Sequence, residues 1–227
     1  MTSRSSSPNL PGLERDKIIQ VGLTLLDEVG LDGLTLRRLA DRLGVKAAAL
    51  YWHFHNKQEL IDTMALAMIH QEYARLPRPA TVRPWRELLS TIAHTHRRAL
   101  LSRRDGARLM ASADFSKATM FSGLERVLTA LEAQGFSGEL AFLATVDIVR
   151  YTLGCVFEEQ TDPAPQIASL ADRRKTVQSV ADKYPRTAKT LGQLLGSPEI
   201  TNQRQFEHGL ELMLIGIDHT LASGQQS

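Results

Sequence analysis

Apolar residues recur along most of this chain at spacings of three and four, the period of a helix with one buried face. No stretch alternates apolar and polar positions as a half-buried strand does, so the sequence predicts an all-α fold. Ile18, Gly22, Leu25, Leu26 and Val29 share one face of a first helix, about Leu13–Val29, which Gly30 ends. Thr35 is a good N-cap, because its hydroxyl can accept a backbone N–H left without a helical partner. Leu36, Leu39, Ala40 and Leu43 then form a second, shorter stripe, and Gly44 can take the left-handed conformation that closes a helix cheaply. Val45 and Leu50 dock a third helix, roughly Lys46–His53, close across the small side chain of Ala40. Asn56 caps a fourth helix that runs through Leu60, Met64, Ala67 and Met68 to about Ala74.

Pro77, Pro79 and Pro84 punctuate the next stretch, and Pro84 suits the first position of a long helix reaching Ser102. A short helix at about Arg104–Met110 follows, then one over Lys117–Gln134 that stops at Gly135. Ser137 caps another that runs to about Glu159. Residues 161–185 open on a stretch rich in Pro, Ala and Asp and read as a mobile loop. Two helices close the chain, the last over about Asn202–Leu221. The polar residues 1–12 read as a disordered arm, with Arg4 the one side chain there able to reach a phosphate. The organisation is therefore a small three-helix unit over 13–58 and a larger helical unit over 59–223, without internal repeats.

A hydrophobic content of 43% with 23% charged residues is that of a globular chain with a real core. Cys155 is the single cysteine, which excludes an intrachain disulfide and a multi-cysteine zinc site and suits a reducing, cytoplasmic setting. No uninterrupted apolar run approaches the roughly 18 to 20 residues that span a bilayer, and the N-terminus lacks the apolar centre of a signal peptide. No membrane partner is therefore expected.

Charge is distributed unevenly. Between Gly33 and Lys57 lie Arg37, Arg38, Arg42, Lys46 and Lys57 against the single acid Asp41, a local +4 in a chain whose net charge is +2. Basic residues gathered on one small element are the footprint of phosphate contact. Two short helices joined by a glycine turn are the pattern of a helix-turn-helix, whose second helix enters the DNA major groove. An ordinary helical hairpin with a solvated face has the same spacing.

The motifs LTLRRLADRLGV and LYWHFHNK resemble the N-terminal domain of the tetracycline-repressor family of bacterial regulators. RRALLSRRDGAR (Arg97–Arg108), TLGCVFEEQ (Thr152–Gln160) and FEHGLELMLIGI (Phe206–Ile217) resemble the ligand-binding half of that family's namesake. The resemblance runs from about Leu13 to His219 with a gap near 161–185. It implies a homodimeric repressor of a palindromic operator in double-stranded DNA, released by a small molecule that binds the C-terminal domain. On the DNA side it implies that Arg37 reads a guanine or holds a phosphate, and that Tyr51, His53 and Lys57 grip phosphates. Trp52 is expected to be a wedge behind the recognition helix. Lys46, Ala47, Ala48 and Ala49 fall on the reading face. The namesake carries Gln, Pro and Thr where this chain has the three alanines, so a different operator is expected.

At the namesake's drug site this chain carries Tyr73 and Met110 for two histidines, Ile92 for Asn, Val127 for Gln and His96 for an aromatic, and it retains Glu158. A thioether is a poor ligand for a hard cation. The expected effector is therefore a flat hydrophobic molecule of drug or polyketide type, oriented by His96 and Glu158, with no metal and no cofactor. His94, His96 and Glu158 have an ordinary alternative as side chains satisfied by their neighbours. The stripes Phe142, Val146, Val149, Leu153, Val156 and Phe206, Leu210, Met213, Leu214, Ile217, Leu221 read equally as monomer core or as dimer interface; the resemblance implies the interface for all of them but Val156 and Leu221.

Catalysis finds no support. His94 and His96 are two apart and lie on different helix faces, and the chain holds no HExxH, phosphate-cradling glycine loop or GxSxG elbow. Cys155 has no activating partner nearby in sequence. The remaining rivals to a ligand-released repressor are an activator or a ligand-independent regulator on the same scaffold, and a helical protein-binding module.

Overall fold

The computed structural model describes residues 14–77, 83–114, 118–161, 170–196 and 202–224, and all regular structure among them is helical. Helix α1 covers Arg15–Gly33, α2 Leu36–Leu43, α3 Ala47–Leu50 and α4 Lys57–Ala74. Then come α5 (Trp85–Leu101), α6 (Gly106–Ala111), α7 (Ala118–Glu132) and α8 (Gly138–Thr161). The chain closes with α9 (Leu170–Ser179), α10 (Pro185–Gly196) and α11 (Asn202–Gly224). Residues 1–12, with Arg4, lie outside the described residues.

The helix ends follow local chemistry. The Thr35 hydroxyl accepts the Arg38 N–H at 3.2 Å, and Asn56 Oδ1 accepts the Glu59 N–H at 2.8 Å. Ser137 Oγ accepts the Leu140 N–H at 3.1 Å. Gly44 sits at φ 69° and Gly135 at φ 93°, the left-handed region that closes α2 and α7. Gly30 breaks helical geometry as expected (φ 69°, ψ 175°), but a last turn of α1 continues beyond it to Gly33. Pro84 stands as the N-cap of α5 and not inside it.

Two expectations need correction. The helix expected over Lys46–His53 is regular only over Ala47–Leu50 and continues as turns through residue 53, with His53 N–H and Phe54 N–H both on the Leu50 carbonyl at 2.9 Å. The segment expected as a loop over 161–185 contains all of α9, and α10 opens at Pro185, so among the described residues three helices rather than two follow α8; residues 162–169 lie outside the described residues. Helix α8 is long and apolar enough by composition to cross a bilayer. It serves instead as the central helix of the body, against α5, α6, α7 and α11, with Asp147 and Arg150 breaking its apolar run.

The core divides in two, and the division does not fall at the boundary near residue 58. One cluster joins Leu23, Leu26, Leu39, Leu50 and Phe54 of the three-helix unit to Leu60, Met64 and Met68 of α4, Leu109 and Met110 of α6, and Val156 of α8. The other joins Leu89 and Ile92 of α5, Leu131 of α7, Ile148 of α8 and Phe206, Leu210 and Leu214 of α11.

Candidate nucleic-acid interface and interior site

Ala40 and Leu50 meet at the crossing of α2 and α3, both fully buried. The turn between them is fixed by Val45 N–H on the Ala40 carbonyl at 3.0 Å. That packing points the rest of the motif outward. Arg37, Lys46, Ala48, Tyr51 and Lys57 are exposed, and Ala47, Ala49 and His53 are half-buried. Among the described residues neither Arg37 nor Lys46 has an ion-pair partner. Arg42 is tied to Glu28, and Arg38 donates to the Gly33 carbonyl at 2.9 Å. The surface therefore offers two uncommitted cations beside three alanines and an exposed phenol.

Trp52 is not a wedge: it is 89% exposed. Phe54 holds that place. Its ring is fully buried in the first core cluster, with the Arg15 guanidinium 4.7 Å above its centroid. Phe54 follows Leu50 by four positions, the helical spacing that distinguishes the inward aromatic from its neighbours.

A polar clasp that the sequence does not announce joins this unit to the body. The Leu31 N–H, freed by the break at Gly30, donates to Asp105 Oδ2 at 2.7 Å. Asp27 accepts from the Arg104 N–H at 3.0 Å and from Arg103 Nη1 at 2.8 Å. Arg108 grips both oxygens of Asp32, at 2.9 and 3.1 Å, and holds that carboxyl below its ordinary pKa. On the other side Gln58 donates to the Ser112 carbonyl at 2.7 Å and to buried Asp62 at 2.8 Å. The Asp114 N–H also donates to Asp62, at 2.9 Å. The end of α1 and the start of α4 are thus both fastened to the flanks of α6.

In the body, Tyr73 and His96 meet edge to face with centroids 5.8 Å apart, where the two core clusters adjoin. His96 Nδ1 lies 2.9 Å from the Ile92 carbonyl and 3.4 Å from the Tyr73 hydroxyl. Burial pushes the imidazole pKa down, the Ile92 carbonyl only partly opposing it. Burial pushes the Tyr73 phenol up to about 12 against the pull of Arg126 and Arg98. Both side chains are neutral near pH 7. Ile92 and Met110 are buried and Val127 is half-buried in the apolar surroundings. Glu72, next to Tyr73, is engaged by Arg75 and Arg98. A phenol and a neutral imidazole with no free carboxylate are a poor donor set for magnesium.

Glu158 does not join this site within the chain. It is exposed and lines an open cleft of about 440 Å³ between α8 and α11, with Tyr151, Cys155 and Phe206. His94 is satisfied by its neighbours, through Nδ1 on the Ser90 carbonyl at 2.7 Å and Nε2 on Glu207 at 2.9 Å.

The two long stripes also need correction. Phe206, Leu210 and Leu214 are buried in this chain's own core, so they are not surface available to a second copy. On α11 the outward apolar residues are Leu212, 57% exposed, and Ile215, 52% exposed. On α8 the buried line is Ala141, Ala144, Ile148, Thr152 and Val156, while Phe142, Leu143 and Phe157 are exposed. Val146, Val149, Leu153, Met213 and Ile217 lie half-buried on the shoulders between.

Comparison with known proteins places both halves of the chain. Residues 18–64 match the family described as bacterial regulatory proteins, tetR family, and residues 78–221 match the tetracyclin repressor-like C-terminal domain. The class C tetracycline repressor protein of Escherichia coli is 36% identical over 206 residues, covering 91% of each chain. A possible TetR family transcriptional regulator from Streptomyces coelicolor A3(2) superposes with a TM-score of 0.74 at 32% identity, over 91% of this chain and all of that one. The S. coelicolor protein ActR, solved in complex with (S)-DNPA, superposes with a TM-score of 0.73 at 27% identity, over 93% of this chain and 98% of that one.

Proposed function

The chain belongs to the tetR family of bacterial regulatory proteins, and on that footing we propose a homodimeric repressor that leaves a palindromic operator when an apolar small molecule enters its body. It is a DNA-binding regulator of the ligand-responsive kind and not an enzyme. In the proposed complex Ala47, Ala48 and Ala49 of α3 face the base edges. Three methyl groups can touch thymine methyls but cannot make the paired hydrogen bonds that read adenine or guanine. Arg37 carries whatever polar base reading there is, and Lys46, Tyr51, His53 and Lys57 hold phosphates and set the register. Two copies joined through the outward faces of α8 and α11 put two α3 turns about one helical repeat of DNA apart.

The observation that carries the reading is the clasp. The DNA-facing unit is fastened to α6 at two separate points, Asp105 with Leu31 and Ser112 with Gln58, so it moves with the body. A ligand that favours a second arrangement of the body favours a second spacing of the heads, and a rigid dimer cannot fit both. Moving such an equilibrium from 1:99 to 99:1 needs about 5.5 kcal/mol of differential affinity, within reach of a buried drug-sized molecule. The test is operator binding by the purified chain. A palindrome from DNA beside the gene is expected to be bound with strong salt dependence and released by a hydrophobic compound. Binding no tighter than to bulk competitor DNA refutes the regulator. Binding that no member of a panel of apolar antibiotics and aromatic polyketides relieves refutes the effector.

A further inference from the structure

Where α5 meets α11, a row of polar ties runs along the contact. Gln203, Glu207 and Glu211 stand four residues apart on one face of α11. Arg97 Nε donates to Gln203 Oε1 at 2.9 Å, His94 Nε2 meets Glu207 Oε1 at 2.9 Å, and Arg86 Nη2 donates to Glu211 Oε1 at 2.5 Å. The order of these pairs shows that the two helices run in opposite directions. Phe206 is fully buried beside the middle of the row. The His94 ring meets it edge to face at 5.7 Å, and the Arg97 guanidinium lies 5.1 Å from its centroid. The two arginines keep their charge at every physiological pH, whereas an imidazole does not. The middle tie is therefore the one that a proton can make or break.

Its hydrogens can be counted. His94 Nδ1 lies 2.7 Å from the Ser90 carbonyl and farther, 3.3 Å, from Ser90 Oγ. A carbonyl can only accept, so the shorter contact requires a hydrogen on Nδ1. Nε2 lies 2.9 and 3.2 Å from the two oxygens of Glu207, and the Gln203 amide donates to the same carboxylate. A carboxylate also only accepts, so Nε2 carries a hydrogen too. The pair thus holds one proton more than a neutral imidazole beside a carboxylate. We infer that His94 and Glu207 form a proton-operated latch between α5 and α11. When the proton leaves, one ring nitrogen turns a lone pair toward an oxygen and that bond is lost. The surrounding charges do not compete for the role. Arg97 is paired with Glu159 of α8 at 2.7 Å and Arg86 with Glu211, which leaves Glu207 to His94. From α8, Tyr151 stacks on Phe206 with its phenol kept protonated by burial. Helix α5 carries Ile92 and His96 of the interior site, and α11 carries the outward Leu212 and Ile215, so the latch joins the two. It belongs to the single chain and stands whether or not an effector enters the body.

Two measurements on the full chain test the latch. Long-range proton–nitrogen spectra of the imidazole rings are recorded at about pH 7.5, where a free histidine is mostly neutral. Both His94 nitrogens are expected to carry hydrogen there, with the signals assigned by their disappearance in His94→Met. Chemical unfolding is then followed from about pH 6.5 to 8.5 for the native chain and for His94→Met combined with Glu207→Leu. The double variant puts two apolar side chains in place of the pair and is expected to stay folded, as exchanges of this kind usually do. A proton held by the folded chain and not by the unfolded one lowers the folding constant by up to about tenfold per pH unit. The native chain is therefore expected to lose stability with rising pH relative to the double variant, in which other titrating groups cancel. Glu207→Gln keeps the shape and removes the charge, so most of that slope disappears with it. It serves for the same comparison should the double variant fail to fold. A bare nitrogen on His94 at pH 7.5, or equal slopes in the native chain and the variant compared with it, overturns the latch.

Discussion

Asp105 is the sharpest place to test whether the DNA-facing unit is fastened to the body as described. Its carboxylate accepts the Leu31 N–H at 2.7 Å, and that amide is available because Gly30, at φ 69° and ψ 175°, interrupts the helical bonding of α1. Asp105 is mostly buried, with 18% of its side chain exposed, so the bond is little screened. Its second contact, Arg108 at 3.5 Å, is long and partly exposed and adds little. A hydrogen bond to a charged group contributes about 1.5–3 kcal/mol, and Asp105→Ala removes it while leaving a buried N–H unpaired. The expected loss is about 2 kcal/mol, a fall in melting temperature of about 4–8 °C for a chain of this size. Amide exchange at Leu31 quickens in the same variant. Gly30→Ala gives an independent check. That backbone conformation is nearly restricted to glycine, with a strain of about 1–3 kcal/mol, and the added methyl would meet Asp105 Oδ2 at 2.9 Å. In a double-mutant cycle, Gly30→Ala is expected to cost less once Asp105 is alanine, because the clash disappears and only the strain remains. Additive losses together with unchanged exchange at Leu31 would refute the clasp.

Other expectations follow from the same geometry. Lys46→Ala weakens operator binding almost uniformly across sequences and lowers the slope of log affinity against log salt by about one, as titration at several salt concentrations measures. Leu212→Glu with Ile215→Glu yields a folded monomer in sedimentation, whereas Leu210→Glu, directed into the chain's own core, abolishes cooperative unfolding. Phe54→Ala destabilises by about 3–5 kcal/mol in chemical denaturation, while Trp52→Ala, at a site 89% exposed, changes stability by less than about 0.5 kcal/mol. Glu59, whose pKa is lowered by the His55 backbone N–H and then by Arg15, is stabilising above the ordinary glutamate value of about 4.3. That stability disappears as pH falls through its depressed folded value, so Glu59→Gln flattens the acid limb of the stability curve.

What the sequence makes legible is chemistry completed within a few residues. Thr35, Gly44, Asn56 and Ser137 mark helix ends because a cap needs only its own turn, and each acts where expected. Helix faces are harder to read where a helix is apolar on more than one side. On α8 the buried line Ala141, Ala144, Ile148 and Thr152 lies about one residue round from the stripe that begins at Phe142, and the two meet at Val156. Periodicity favours the bulkier residues, whereas close packing against α5 selects the smaller ones. The same ambiguity misplaced Phe206, Leu210 and Leu214, and it exchanged Trp52 for Phe54. The clasp was invisible for a different reason. Asp27, Asp32 and Asp105 look like ordinary surface acids until residues some 75 positions apart in sequence are brought together.

The way the core is partitioned bears on how a ligand would act. Cluster membership shows that the apolar contacts of the DNA-facing unit continue through α4 into α6, the end of α5 at Ala99 and Leu100, and Val156 of α8, while the rest of α5 and α8 forms the second body of contacts with α7 and α11. The outward faces of α8 and α11, which would meet a second copy, therefore belong mainly to the second cluster. Tyr73 sits on the first side of the junction and Ile92 on the second, with His96 between them. A molecule seated against this pair in the proposed dimer wedges what moves with the head away from what is anchored to the twin. Apolar contacts resist separation in proportion to the area they lose, whereas the clasp is short, directional and confined to the head side. In the proposed mechanism the junction opens, the clasp holds, and the head follows α4. Under this mechanism a ligand that fills the junction changes operator affinity in a chain whose clasp is intact, and cutting the clasp at Asp105, one of its two fastenings, weakens the coupling of ligand occupancy to release without abolishing either binding event.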